Sequence, residues 1–203
     1  MTPFVGLCAA FVLATLLART AGWRRGELVA KGLASAAFLA HDVVVAHPWG
    51  AAGGAVFAGL VCGAVGDLAL VGRSTAAFRF GLVAFLLGHL AYGVACLVAG
   101  VSAWAALGAA VALLPVAAAV WRWLRPRVGR LRRPVAAYVA VICAMVAAAV
   151  GTGDAGLIIA AILFFLSDLC VARERFVVSA PMHRWVGLPL YYAAQLLFGT
   201  YSP

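Results

Sequence analysis

The stretch GAVGDLALVGR, residues 63–73, closes a run that is apolar from Ala51 to Val71 except for one carboxylate, Asp67. A spanning helix needs about 20 mostly apolar residues, and this run supplies them. An ionisable side chain in such a layer costs about 3 kcal/mol. The stretch therefore predicts a membrane helix and marks Asp67 as a residue kept for a reason.

The rest of the chain has the same character. Of 203 residues, 67% are hydrophobic, where a soluble domain is about half apolar. Eight spans are predicted, at about 2–18, 28–46, 52–71, 78–99, 101–121, 135–150, 156–171 and 184–200, joined by short connections that make neighbours antiparallel. The fold class is an all-α polytopic membrane bundle, with residues 1–203 forming a single integral membrane domain. The N-terminal apolar stretch lacks the basic region of a cleaved signal and reads as the first span.

The net charge of +9 suggests nucleic acid until its distribution is considered. Every arginine lies in or beside the connections after spans one, three, five and seven, including Arg24, Arg25, Arg73 and the loop RWLRPRVGRLRRP. Basic loops mark the cytoplasmic side. Both termini are thus expected outside the cytoplasm of the cell membrane, and the charge faces anionic headgroups, with no nucleic-acid partner. The tryptophans Trp23, Trp49, Trp104, Trp121, Trp123 and Trp185 fall near span ends, as belt residues do. The five cysteines form no CxxC and pair with no nearby His, so they read as small apolar residues.

The remaining polar residues in the spans carry the functional signal. Asp67 and Asp168 each lie three or four residues before the basic end of a predicted span, and Lys31 is equally deep from the same side. At 1.5 Å per residue this puts all three about 5–6 Å inside the apolar layer. One lysine cannot neutralise two aspartates, so at least one carboxylate needs another role. Span four aligns Phe85, His89 and Tyr92 at i, i+4 and i+7, on one face. Span eight pairs Tyr191 or Tyr192 with Gln195, either as packing hydrogen bonds or as site residues. Tyr138 in span six is either an interfacial anchor or a member of the same group. His41 and Asp42, near the outer end of span two, and Asp154, in an outer turn, are assigned to no site. No HExxH, DxxD or i+4 His pair is present, so neither metal nor cofactor is expected. GDLALVGRSTAAF at Gly66 and SDLCVARERF at Ser167 share a small residue, Asp-Leu, an apolar run, Arg and Phe. That echo, half a chain apart, suggests two four-helix halves.

These residues carry a resemblance. GDLALVGRSTAAFRFGLVAFLLGHLAY, FFLSDLCVARERF with Ser167 and Asp168, and PLYYAAQLLF resemble the signature segments of the YhhN, or lysoplasmalogenase, family of membrane proteins. Lys31 and Tyr138 match its lysine in span two and its tyrosine in span six, although Gly32 stands where the family commonly has proline. The resemblance implies a membrane hydrolase of lysoplasmalogens, cleaving the vinyl ether to a fatty aldehyde and a glycerophospho-headgroup. It implies Asp67 and Asp168 as catalytic residues. Lys31, His89, Tyr92, Tyr138, Ser167, Tyr191, Tyr192 and Gln195 would support them or bind substrate. Vinyl ether hydrolysis needs an acid that keeps its proton and a negative group beside the cation formed. Two carboxylates in different surroundings divide such roles. The expected partners are a lysophospholipid substrate and the bilayer. A small proton-coupled transporter using the same carboxylates is the alternative reading.

Overall fold

The computed structural model describes residues 2–46, 50–72, 74–178 and 180–201. Among them are eight α-helices and no strand: α1 (Pro3–Thr20), α2 (Arg24–Ala46), α3 (Ala51–Val71), α4 (Thr75–Ala99), α5 (Ala103–Leu124), α6 (Arg132–Thr152), α7 (Ala155–Phe176) and α8 (Pro181–Phe198). Trp49 and Arg73, read above as a belt residue and a basic-loop residue, lie outside the described residues. α1 to α7 are each long and apolar enough to cross a membrane, α6 together with the 3₁₀ turn before it, and the protein is multi-pass. α8 is less apolar because it carries His183, Arg184, Tyr191, Tyr192 and Gln195. Its tyrosines, Gln195 and Phe198 are buried in the bundle. α5 lies at the edge and buries only Leu124.

The helices run past the expected limits mainly at their basic ends. α2 begins at Arg24, α4 at Thr75 and α6 at Arg132, while α5 reaches Leu124 and α7 reaches Phe176. Hydropathy marks where the apolar layer stops. Arg, Glu, Ala and Leu then continue the helix, because their backbone propensity is high. Asp168 consequently sits about two turns from the end of α7, deeper along its helix than expected. The projecting ends are tied together. Arg19 bonds Glu27 at 2.8 Å and lies 3.5 Å from Glu174, which also pairs with Arg184. This links α1, α2, α7 and α8. On the other side of α7, Phe176 meets Phe78 of α4 edge-on at 5.8 Å and Arg175 stacks over the same ring. Trp23, Trp104 and Trp185 are exposed, as belt residues are. Trp121 and Trp123 instead pack partly against Leu124, Val128 and Val135.

Small residues set the closest approaches, since lipid tails are as apolar as the helices and association relies on contact. α3 packs chiefly on α4 and presents Gly59, Gly63 and Gly66. A methyl group added at Gly59 would lie 2.5 Å from the Tyr92 ring. One at Gly66 would lie 2.8 Å from Phe85, and one at Gly63 would lie 2.1 Å from Gln195 Nε2. In the second half α7 packs chiefly on α8. There Ser167 donates to the Gly187 carbonyl at 2.9 Å.

Tyr92 cannot move out of the way, because it stacks on Phe198 at 3.9 Å with the rings 3° from parallel. Gly59→Ala is therefore expected to lower the melting temperature in detergent by about 3–10 °C, the effect of about 1–3 kcal/mol of overpacking. Gly54→Ala, with nothing within 4 Å, is expected to leave it unchanged. Thermal melts of both variants check this.

Candidate functional site

The two aspartates occupy two separate polar clusters. In the first, Asp67 on α3 meets Lys31 on α2, with Oδ1 2.9 Å from Nζ; both side chains are at least 95% buried. The Ser35 hydroxyl, one turn along α2 from Lys31, donates to Asp67 Oδ2 at 3.1 Å. Tyr192 of α8 stands beside the same carboxylate and donates to the Lys31 carbonyl at 3.3 Å. Both oxygens of Asp67 are thus engaged, and the cation it faces is a fixed part of the bundle.

In the second cluster, Tyr138 of α6 donates to Asp168 Oδ2 at 2.7 Å. The same oxygen lies 3.3 Å from Nε2 of His89 on α4. His89 Nδ1 is 2.6 Å from the Phe85 carbonyl oxygen, one turn earlier on its own helix. A carbonyl oxygen can only accept, so Nδ1 carries a hydrogen. Nε2 is buried and, although 3.3 Å from Asp168 Oδ2, makes no hydrogen bond. The Asp168 side chain is 17% exposed, against 3% for Asp67, which leaves Asp168 the more accessible carboxylate.

Between the clusters lies an aromatic wall. Phe85 contacts Tyr191 at 5.7 Å, Phe164 contacts Tyr191 at 5.3 Å and His89 at 4.4 Å, and Tyr191 meets Tyr192 at 4.9 Å. Tyr92 donates to Gln195 Oε1 at 2.6 Å, and Gln195 Nε2 donates to the Tyr191 hydroxyl at 2.8 Å. This chain runs one way and does not consume the hydrogen of Tyr191. Of the residues singled out in the sequence, Lys31 and Asp67 meet directly, as do His89, Tyr138 and Asp168. Tyr92, Tyr191 and Gln195 form the bonded chain beside them. Ser167 is next to Asp168 but its hydroxyl faces Gly187, which makes it a helix-packing contact.

Each aspartate sits on the third helix of its half, and draws one partner from the second helix of that half and one from the fourth helix of the other. Asp67 uses α2 and α8; Asp168 uses α6 and α4. At the opposite end of the bundle, His41 and Asp42 are buried, and Thr2 lies 2.6 Å from His41 Nδ1. Asp154 caps α7 by accepting from the Leu157 amide at 2.8 Å, as its turn position suggests. Among the described residues no three His, Cys, Asp or Glu side chains gather as metal ligands would.

Sequence reasoning missed Ser35, which the i+4 spacing from Lys31 places on the same face. It also missed the Phe85 carbonyl, for which a side-chain pattern gives no signal, and the Glu27 and Glu174 ion pairs at the helix ends.

The sequence model of the YhhN family matches residues 26–200. Among curated proteins, the chain is similar to lysoplasmalogenase TMEM86A of Bos taurus, at 30% identity over 70% of this chain and 62% of that protein. It is also similar to lysoplasmalogenase TMEM86B of Rattus norvegicus, at 34% identity over 68% and 57%, and to that of Homo sapiens, at 37% over 68% and 58%. The chain thus matches about three fifths of the length of these relatives. No solved structure matches it.

The Lys31–Asp67 pair yields a stability test. Lys31→Met strands a buried carboxylate and is expected to cost about 3–5 kcal/mol, whereas removing both charges with Lys31→Met and Asp67→Leu is expected to recover most of that loss. Thermal unfolding of the single and double variants measures it. Equal loss in both would show that the pair is not what holds α2 to α3.

Proposed function

Because the chain belongs to the YhhN family, we propose that it hydrolyses the vinyl ether of lysoplasmalogen-type lysophospholipids, releasing a fatty aldehyde and the glycerophospho-headgroup. The observation that carries this reading is the Asp168 cluster: a partly exposed carboxylate that accepts from Tyr138 at 2.7 Å and lies 3.3 Å from His89 Nε2. Vinyl ethers open by protonation at carbon, and in this reading Asp168 delivers that proton. The curated relatives named lysoplasmalogenases support the same substrate class.

In the proposed mechanism, Asp168 gives its proton to the β carbon of the vinyl ether. The electrons of the double bond form the new C–H bond, and the α carbon becomes an oxocarbenium ion. The Tyr138 hydrogen bond stabilises the Asp168 carboxylate that remains. That carboxylate, with His89, then takes a proton from a water attacking the α carbon. The same group acts first as acid and then as base, as the acid of a retaining glycosidase does. The hemiacetal collapses when Asp168 gives that proton to the ether oxygen, which leaves as the glycerol hydroxyl, and takes back the proton of the hemiacetal hydroxyl as the aldehyde forms.

Asp67 has a different role. With one oxygen on Lys31 and the other on Ser35 it is poorly placed to take a proton. Its part is to hold Tyr192 and Lys31 in position. Tyr191, whose hydroxyl is oriented by Gln195, is a donor for the headgroup or the water. The site works in the leaflet beneath the basic loops, which the reading puts on the cytoplasmic side of the cell membrane.

Purified protein given a lysoplasmenyl lipid is expected to release aldehyde. Asp168→Asn should lower kcat by about 10²–10⁴-fold, the usual effect of losing a general acid–base. Tyr138→Phe should lower it about tenfold through one lost charge-assisted hydrogen bond. Folded Asp67→Asn should retain more activity than Asp168→Asn. Aldehyde release by folded Asp168→Asn at the wild-type rate would remove Asp168 from the mechanism.

A further inference from the structure

We propose that the open groove between α2, α3 and the start of α4 is the docking site for the phosphate and proximal chain of a single-chain phospholipid. This inference rests on the hydrolase reading for its substrate class. The groove is lined by Arg24, Arg25, Leu28, Leu68, Ala69 and Ala77, and its volume is about 610 Å³, within the range of about 300–1,000 Å³ typical of small-ligand pockets.

Its chemistry is divided along its length. Two guanidinium groups stand at the rim, both exposed, and the rest is aliphatic. A phosphate bound to an apolar chain has the same division. Arginine suits the phosphate because its planar fork can make two parallel hydrogen bonds to the oxygens. Helix stability does not explain the placement, since Arg24 and Arg25 open α2, where the helix dipole disfavours cations. Both arginines belong to the basic end that faces anionic headgroups, which puts a lipid phosphate within their reach, and Leu28 and Leu68, 45% and 43% exposed, are open to its chain. Gly72 and Ala77 close one flank; a methyl on Gly72 would lie 2.5 Å from the Ala77 methyl.

The groove adjoins the first cluster. Leu28 is one turn before Lys31 on α2, and Leu68 and Ala69 directly follow Asp67 on α3. α2 and α3 come close at this level, where a methyl on Gly32 would lie 3.7 Å from Leu68 Cδ2. A lysophospholipid with its phosphate on Arg24 and Arg25 therefore has its glycerol beside the Lys31–Asp67 pair, on the side of the aromatic wall away from Asp168, so the groove receives the lipid before it reaches the Asp168 cluster.

The test uses the full chain in lipid nanodiscs and an alkyl lysophospholipid, whose saturated ether cannot be cleaved, so binding is read apart from turnover. The wild type is expected to bind it, and Arg24→Gln with Arg25→Gln to raise Kd about tenfold, the sum of two exposed ion pairs. Ala69→Trp, which fills the groove, should weaken binding while keeping both arginines. An alkylglycerol without phosphate should bind wild type and the double-arginine variant alike. Inorganic phosphate should not compete at concentrations comparable to the lipid. Equal Kd in wild type and the arginine variant, no binding by the wild type, or displacement by free phosphate would each overturn the groove assignment. If the wild type shows the arginine-dependent binding yet releases no aldehyde from a lysoplasmenyl lipid, the groove stands and the hydrolase reading falls. If aldehyde is released but the arginines do not affect Kd, the reverse holds.

Discussion

A charge placed in a hydrocarbon layer must find a partner, and most of this bundle can be understood as the means of providing partners for two aspartates. Asp67 is neutralised by Lys31 at 2.9 Å, and that contact fixes α2 against α3. Asp168 has no such cation among the contacts described. It is held by a tyrosine hydroxyl and an imidazole, which can share or release a hydrogen. The same residue type thus occupies two kinds of environment, one ion-paired with a lysine and one bonded to a tyrosine beside an imidazole.

Bringing these partners together requires close helix approach, and glycine on α3 permits it. Gly59, Gly63 and Gly66 receive Tyr92, Gln195 and Phe85 from α4 and α8. Those residues then orient Tyr191 and supply the backbone carbonyl that fixes the His89 tautomer. A side chain at any of the three glycines would move a donor or an aromatic wall of the site, so packing and chemistry are set by the same positions. Asp67 draws on α8 and Asp168 on α4, so each cluster joins helices far apart in the chain.

Much of this was legible in the sequence, because hydropathy and charge are local properties. The spans and the basic end follow from counting along the chain; the depth of Asp168 does not, because α7 runs on to Phe176. Which aspartate takes the lysine does not, since that depends on which helices are neighbours in space. The choice between anchor and site for Tyr138 was open for the same reason; its bond to Asp168 crosses from α6 to α7. The length of α7 was misjudged because charge ends a hydropathy signal without ending a helix. The hydrogen on His89 Nδ1 was out of reach because its acceptor is a backbone atom.

The central claim is that carbon protonation from the Asp168 cluster opens the ether, and its most direct test is to run the reaction in heavy water and trap the aldehyde at once by reduction. The account predicts one deuterium on the carbon next to the former carbonyl, a slowed rate in heavy water, and loss of both in folded Asp168→Asn. An aldehyde with no deuterium at that carbon, formed at the same rate in light and heavy water, would contradict it.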